Sequence, residues 1–191
     1  MRYWKVKQVR RSIVLIGMMG AGKSSVGFCL HRRTGLALHD IDEIVAANFG
    51  IPISEIFPKF GEPRFRQAET ETLQSLTTTE QGIIVTGGGV VVRYENVELL
   101  KRLGVIVWLD ADEKTLFTRA SRKRNRPLLQ TKHPRKAFSQ ILGVRRALYA
   151  NIADIRVDTS VLTDEEVALA ILAKLGRMTA RRKSPVPAKA S

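Results

Sequence analysis

The sequence predicts an α/β fold in which a parallel β-sheet is covered by helices on both faces. Runs of β-branched and apolar residues recur along the chain, at 12–17, 83–88, 105–110 and 154–158, with a weaker run at 36–40. Helical patterns lie between these runs. Near-continuous apolar strands that alternate with helices are typical of parallel sheets in which both faces are buried.

Two helix starts can be located from the sequence. Pro63, which follows Glu62, suits the first position of a helix. The segment from Thr163 to Glu166 has the capping-box pattern and precedes an apolar stretch. We expect the helix that begins there to end at Gly176, since glycine commonly follows the last helical residue.

Length and charge indicate one domain with basic ends. A chain of 191 residues, 44% hydrophobic and 26% charged, is of ordinary globular composition and fits a single core. The net charge is +14, and much of it lies at the two ends. Five basic residues lie in 1–11 and five in 177–191, and neither segment contains an acidic residue. We interpret 1–11 as a basic extension, 12–176 as the domain and 177–191 as a disordered tail. Contact of the tail with nucleic acid is the alternative, but we expect no specific nucleic-acid partner.

Cysteine usage and the N-terminal segment favour a cytoplasmic protein. Cys29 is the only cysteine, which excludes an intramolecular disulfide and a thiolate zinc cluster and favours a reducing compartment. The uncharged stretch at 12–22 is eleven residues long, whereas a membrane span takes about 20. It continues into Lys23 and Ser24 without a convincing cleavage site. We therefore expect no membrane association.

Residues 17–25, GMMGAGKSS, fit the phosphate-loop pattern between a predicted strand and a predicted helix. Its glycines allow backbone N–H groups to surround phosphate oxygens at the positive end of the helix. Lys23 would bridge the β- and γ-phosphates, and the Ser24 hydroxyl would bind Mg²⁺. The alternative, a glycine-rich turn that binds nothing, does not account for the lysine and serine at these positions.

Two aspartates follow the second predicted strand. In an extended chain Asp40 and Asp42 would project to the same side, roughly 6–7 Å apart. One carboxylate could orient a water molecule on Mg²⁺, while the other accepts a hydrogen bond, and a proton, from an acceptor hydroxyl. Taken alone, such a pair is more typical of a solvated turn or a helix cap.

Further candidates lie downstream. Arg66 and Glu69 are spaced i, i+3 on one predicted helix, where a surface ion pair is the alternative. Three glycines at 87–89 follow a strand, which suits close approach of a ligand or simply a flexible turn. Arg126 and Arg145 could each be a solvated charge. The segment 119–135 is basic and poor in apolar residues, so we expect a mobile excursion over one edge.

Together these segments resemble the shikimate kinase family over about residues 12–175. The motifs that carry the resemblance are, in order, GMMGAGKSSVG, DID, IF followed by GEPRFRQAE, TGGG, RPLL and RRALY. The resemblance implies a three-layer phosphate-loop kinase fold with a five-stranded parallel sheet and a mobile lid at about 119–135. It also implies transfer of the ATP γ-phosphate to the 3-hydroxyl of shikimate, a step of chorismate and aromatic amino acid biosynthesis.

The resemblance also assigns roles to residues on the nucleotide side. Lys23, Asp42 and Arg126 would be catalytic, and Arg126 would close from the lid onto the phosphates. Arg119 would lie against the adenine. Ser24 would bind Mg²⁺, with Asp40 acting on the metal indirectly. The full set implied for ATP is Gly20, Ala21, Gly22, Lys23, Ser24, Ser25, Arg119 and Arg126.

On the acceptor side, the resemblance makes Asp42 the residue that holds the acceptor hydroxyl. Arg66 and Arg145 would bind the shikimate carboxylate, for which guanidinium groups are well shaped, and Glu69 would orient Arg66. The full set implied for shikimate is Asp42, Phe57, Phe65, Arg66, Glu69, Gly87, Gly88, Gly89 and Arg145. We expect a monomer with ATP and shikimate as its substrates.

Two departures from the family pattern bear on these assignments. Ala147 stands where the family commonly has proline, so the choice of Arg145 over Arg146 rests on spacing. The stretch 121–125 is more basic than a lid needs. Rival functions are a kinase for gluconate or a nucleoside monophosphate, and a non-enzymatic ligand sensor or nucleic-acid-binding module. The rival kinases give no reason for the combined DID, FRxxE and TGGG set. Intact Lys23, Asp42 and Arg126 argue against a sensor, and no recognition-helix or RNA-binding signature supports the nucleic-acid-binding module.

Overall fold

The computed structural model describes residues 11–77, 81–122 and 131–183. Outside these ranges lie residues 1–10 of the predicted extension at 1–11, Arg126 with the central part of the predicted lid, and the last residues of the predicted tail.

The sheet has five parallel strands in the order β2-β3-β1-β4-β5. The strands are β1 at Ser12–Ile16, β2 at Ala37–Asp40, β3 at Gly82–Val85, β4 at Gly104–Asp110 and β5 at Ile155–Asp158. All five predicted strands are therefore confirmed, and the predicted α/β class with them.

Helices connect the strands. They are α1 at Lys23–Thr34, α2 at Ile41–Phe49, α3 at Ile53–Leu76, α4 at Tyr94–Leu103, α5 at Glu113–Ser121, α6 at Pro134–Ile152 and α7 at Asp164–Lys183, with a short 3₁₀ turn at Val90–Val92. In the described ranges, no helix is both long and apolar enough to cross a bilayer.

The central strand β1 shows that helices cover both faces of the sheet. Four successive residues, Ile13 to Ile16, have no exposed surface. Because successive side chains of a strand point to opposite faces, both faces must be covered at β1. The carboxyl ends of the parallel strands consequently meet at one edge, where ligands bind in open α/β sheets.

Helix α3 consists of two helical segments. Gly61, with φ 77° and ψ 163°, interrupts the helical backbone between them. The left-handed φ suits glycine, which has no Cβ. Pro63 stands in the first turn of the second segment, as the sequence predicts, where its missing N–H costs no helical hydrogen bond.

Helix α7 begins as predicted but ends later. The Thr163 N–H donates to Glu166 Oε2 at 2.8 Å, and the Glu166 N–H donates to Thr163 Oγ1 at 3.3 Å, which together form the predicted capping box. The prediction that the helix ends at Gly176 is wrong, because it continues to Lys183. No proline follows before Pro185, and Met178 packs against the core, so the helix extends into the predicted tail.

Candidate active site

The phosphate-loop segment joins β1 to α1, as its pattern predicts. Gly22 has a left-handed φ of 88° and immediately precedes the first residue of α1. Lys23 lies over the loop, where its Nζ donates to the carbonyl oxygens of Gly17 at 2.8 Å and Met18 at 3.2 Å. The lysine ammonium is therefore held above the loop by the same backbone that would surround the phosphates.

Gly20 is required for two reasons. Its φ of 87° is in the left-handed region, and a Cβ built on it would lie 2.2 Å from the Leu116 carbonyl oxygen of α5. A side chain at this position would strain the backbone and displace α5. The loop conformation thus depends on glycine at this position.

Asp40 and Asp42 are not arranged as predicted. The prediction that both lie in extended chain is wrong, because β2 ends at Asp40 and Asp42 lies in the first turn of α2. Asp40 Oδ1 accepts a hydrogen bond from the Asp42 N–H at 3.1 Å and so caps α2. That local bond competes with continuation of the strand. The other oxygen, Oδ2, accepts from Ser24 Oγ at 2.9 Å, which links Asp40 to the start of α1.

A large cavity of about 490 Å³ opens above the phosphate loop. We call it the large cavity. The residues that line it include several that the sequence predicts for ATP, Mg²⁺ or the acceptor: Gly20, Gly22, Lys23, Ser24, Ser25, Asp40, Asp42 and Arg119. Ala21 does not line it, since it is buried and its N–H donates to the Met18 carbonyl oxygen at 3.2 Å. Arg122, Thr163 and Asp164 line it without having been predicted. Their position follows from the packing of α5 and α7 beside the loop.

Arg119 is fixed to the loop that follows β5. Its Nη2 donates to the carbonyl oxygens of Thr159 at 2.9 Å and Ser160 at 3.3 Å, and its Nη1 donates to Thr159 Oγ1 at 3.2 Å. These bonds hold the guanidinium plane at the wall of the large cavity. Its contact with adenine stays a prediction.

A small cavity of about 80 Å³ lies beside the large one. We call it the small cavity. It is lined by Met19, Asp42, Ile53, Phe57, Phe65, Arg66, Gly87, Gly88, Gly89 and Arg145. The rings of Phe57 and Phe65 are 4.7 Å apart between centroids and form its apolar side. All the residues predicted for the acceptor are thus brought together here, except Glu69, which lies behind Arg66.

Arg66 and Glu69 form a buried ion pair, not the surface pair that the sequence left open. Arg66 Nη1 donates to Glu69 Oε2 at 3.0 Å, and the glutamate side chain has no exposed surface. Burial raises the pKa of the Glu69 carboxyl, and the Arg66 guanidinium offsets only part of that effect. Glu62, one turn earlier, accepts from Arg66 Nη2 at 3.0 Å. This second partner was not predicted, although the i, i+4 spacing of Glu62 and Arg66 is a sequence signal for it.

Two of the three glycines leave room for side chains of the protein itself. A Cβ at Gly87 would lie 2.7 Å from Asp42 Oδ1 and 2.9 Å from Glu69 Oε1. One at Gly89 would lie 2.3 Å from Arg66 Nη2. Close approach, rather than a flexible turn, is therefore the reason for glycine at 87 and 89.

Tyr149 forms a hydrogen bond with the backbone of the middle glycine, Gly88. It is fully buried, and its hydroxyl donates to the Gly88 carbonyl oxygen. Burial raises the pKa of this hydroxyl, so it stays protonated as a donor. Tyr149 belongs to the RRALY motif, but no local pattern in the sequence predicts its contact with a glycine 61 residues away.

The structure separates Arg145 from Arg146. Arg145 is 8% exposed and lines the small cavity. Arg146 instead donates to Asp110 Oδ1 at 3.1 Å and to the Ala111 carbonyl oxygen at 2.7 Å. Of the two arginines, Arg145 is the one that lines the small cavity, and its contact with the acceptor stays a prediction. Ala147 lies within the continuous helix α6.

Comparison with known proteins decides the family. The shikimate kinase family model matches residues 19–176. A shikimate kinase of Thermodesulfovibrio yellowstonii is 44% identical over 169 residues, which are 88% of this chain and 97% of that protein. The chain belongs to the shikimate kinase family. As in that family, its function is transfer of phosphate from ATP to shikimate, in the shikimate pathway.

Solved structures agree with this assignment. The shikimate kinase from Acinetobacter baumannii, in complex with shikimate, superposes with a TM-score of 0.85 at 32% identity, covering 93% of this chain and 97% of that one. A gluconokinase from Sinorhizobium meliloti superposes with a TM-score of 0.59 at 20% identity, covering 92% and 97%. The second likeness concerns the fold alone and gives no support to the gluconate alternative.

Proposed function

We propose that the two cavities divide the reaction between them, with ATP in the large cavity and shikimate in the small one. The observation that carries this proposal is the position of Asp42, which lines both. Met19 and Gly88 are shared as well. The γ-phosphate would therefore reach the 3-hydroxyl of shikimate beside the Asp42 carboxylate, giving 3-phosphoshikimate and ADP.

On the nucleotide side, the loop backbone and the N-terminus of α1 bind the phosphates. The Lys23 ammonium contacts the β- and γ-phosphates, either in place of its bonds to the Gly17 and Met18 carbonyl oxygens or in addition to them. Arg119 and Arg122 supply positive charge at the outer wall. Arg126, outside the described residues, would approach the phosphates from the lid.

The residues next to the phosphate site fit Mg²⁺. Ser24 Oγ and Asp40 Oδ2 are 2.9 Å apart and present oxygen donors at the wall of the large cavity. In the described ranges no group of three or more acidic, His or Cys side chains forms a metal cage. Mg²⁺ typically keeps several waters and binds through one or two protein groups and substrate phosphates. We assign Ser24 as the direct ligand and Asp40 as the residue that orients a bound water. The ion would neutralise charge on the phosphates.

On the acceptor side, Arg66 and Arg145 bind the shikimate carboxylate. Both guanidinium groups line the small cavity from different helices, α3 and α6. Glu69 holds Arg66 from behind through its 3.0 Å bond. Phe57 and Phe65 contact the apolar part of the ring, and the glycines at 87–89 leave room for the acceptor.

Asp42 holds the acceptor hydroxyl and takes its proton. The 3-hydroxyl donates a hydrogen bond to the carboxylate, which turns an oxygen lone pair toward the γ-phosphorus. As the new P–O bond forms and the bond to ADP breaks, the hydroxyl proton passes to Asp42. A positioned carboxylate of this kind contributes roughly 10²–10⁴-fold to rate. We further propose a monomer that acts in the cytoplasm, built on a domain at 12–176.

The test is ADP formation in the presence of Mg²⁺, measured with shikimate, with gluconate, with a nucleoside monophosphate and without acceptor. We expect ADP release that depends on both shikimate and Mg²⁺. Equal release with and without shikimate would refute the proposal. Faster turnover with either other acceptor would favour the corresponding rival kinase, and tight shikimate binding without turnover would favour the sensor.

A further inference from the structure

We infer that Arg93 is a positioning residue for acceptor binding: it ties the helix that carries Arg66 and Glu69 to the glycine segment 87–89, which also lines the small cavity. This inference rests on the proposed role of the small cavity. Arg93 lines neither cavity itself. Any effect on the reaction must therefore pass through the residues that it holds.

Arg93 bonds directly to the turn of α3 that carries the ion pair. Its Nη1 donates to the Arg66 carbonyl oxygen at 3.0 Å and to Thr70 Oγ1 at 2.9 Å. These acceptors span the turn on which Glu69 also lies. A charged donor shared by a backbone carbonyl and a hydroxyl fixes that turn more strongly than a neutral donor would.

A buried hydrogen bond reinforces the attachment. Thr70 Oγ1 donates to Asn96 Oδ1 of α4 at 2.7 Å, and both side chains are almost completely buried. Buried polar groups are costly to leave without partners. The network of Arg93, Thr70 and Asn96 therefore resists separation of α3 from α4.

The same stretch of chain that ends at Arg93 forms the glycine wall. The Val90 N–H donates to the Gly87 carbonyl oxygen at 3.3 Å, and the Val92 N–H donates to that of Gly89 at 3.1 Å. Gly89 in turn lies directly against the Arg66 guanidinium. Arg93 thus completes a closed ring of contacts. The chain that follows the glycine wall leads to Arg93, Arg93 bonds to the α3 backbone, and the Arg66 side chain of α3 contacts Gly89 again.

This ring of contacts predicts which kinetic parameter changes when Arg93 is replaced. If α3 shifts relative to the glycine wall, the Arg66 guanidinium moves away from the carboxylate that it binds. The phosphate loop joins β1 to α1, and the hydrogen bonds of the Arg93 side chain go to α3 and not to that loop. Loss of Arg93 should therefore raise KM for shikimate while KM for ATP stays nearly constant.

The experiment compares three single variants of the full chain with the wild type. Arg93→Met keeps the aliphatic stem and removes the donors, and we expect KM for shikimate to rise about tenfold, since small misplacements of binding groups are costly. Arg93→Lys keeps a charged donor and should recover most of that loss. Arg102→Met removes the same charge from an exposed position of α4 and should leave KM for shikimate unchanged.

Thr70→Val gives an independent test if Arg93→Met does not fold. It preserves side-chain volume and removes the hydroxyl between Arg93 and Asn96, so KM for shikimate should rise about threefold. Parallel increases of both KM values, or a change in melting temperature with both KM values unaltered, would overturn the inference. An active wild type whose Arg93→Met and Arg102→Met variants behave alike would overturn it too. A wild type without shikimate-dependent turnover would instead contradict the proposed function.

Discussion

The large and small cavities are built in different ways. Six of the sixteen residues that line the large cavity come from the single stretch 19–25, which includes Gly20, Gly22 and Lys23. The small cavity is not lined by one such local stretch: its ten lining residues come from Met19, Asp42, α3, the glycines at 87–89 and Arg145. A phosphate group can be bound by one local loop, whereas a small acceptor of defined shape needs groups that converge from several elements.

Carboxylates are also held in two different ways. At the starts of α7 and α5, exposed carboxylates have lowered pKa values because they accept hydrogen bonds: Glu166 from the Thr163 backbone and hydroxyl, and Asp112 from Thr115. At the small cavity, Glu69 is fully buried and its pKa is raised by that burial. The charge of the capping carboxylates is thus solvated, while the charge of Glu69 behind the small cavity is buried and balanced by Arg66.

The largest expected effect tests whether Asp42 serves both cavities. Asp42→Asn keeps the size of the side chain but removes the charge that takes the proton, so kcat should fall by about 10²–10⁴-fold. ATP affinity should change little. Glu43→Gln, an exposed acid one residue later, is the matched control and should behave as the wild type. Near-normal kcat in Asp42→Asn would place the proton acceptor elsewhere.

The next effect separates two adjacent arginines. Arg145→Ala should cost about 2–4 kcal/mol in kcat/KM for shikimate, because a charge-assisted bond to the carboxylate is lost. Arg146→Ala, equal in charge, should instead lower the melting temperature, since Asp110 loses one of its two arginine partners. Steady-state kinetics and thermal melts on both variants check this. The reverse pattern would show that the acceptor carboxylate is bound by Arg146.

A smaller effect concerns the metal. Asp40→Asn should raise the Mg²⁺ concentration needed for half-maximal activity by about 10–100-fold, as is typical when a group that orients a metal ligand is changed. Shikimate binding should remain largely as it was, because Asp40 lines only the large cavity. Titrations of Mg²⁺ and shikimate on the same variant distinguish the two. Equal shifts in both titrations would show that Asp40 and Asp42 do not divide their roles.

The smallest expected effect contrasts the two kinds of carboxylate through pH. Glu166→Ala should lower the melting temperature by about 2 °C at pH 7. Because the pKa of Glu166 is lowered in the folded state, its stabilising contribution is present above the unfolded pKa and disappears as pH falls through the folded pKa.

Glu69 should show the opposite slope. Because its folded pKa is raised, the wild type should lose stability relative to Glu69→Gln as pH rises through that pKa. Thermal melts of the wild type and both variants between pH 3 and 8 give the difference in stability between the wild type and each variant as a function of pH. If both differences change with pH in the same direction, the contrast between solvated and buried charge is contradicted.

Features of the fold that depend on nearby residues were predictable. The five strands follow from apolar runs, and the start of α7 follows from a capping box whose members are three residues apart. Helix ends were less secure: the end predicted at Gly176 was overridden by packing of Met178 on the core. The DID pair was misplaced because the hydrogen bond from the Asp42 N–H to Asp40 started a helix where an extended chain was expected.

The α/β class and the phosphate loop follow from the sequence alone, because each apolar strand run, and the group of glycines that gives the loop its backbone conformation, lies within a few consecutive residues. Three other features arise on folding: Arg145 faces the small cavity, Glu69 is buried behind Arg66, and Arg93 joins α3 to the glycine wall. Direction and burial of a side chain depend on which helix packs against which strand. Those contacts join residues far apart in the chain, and no local pattern specifies them.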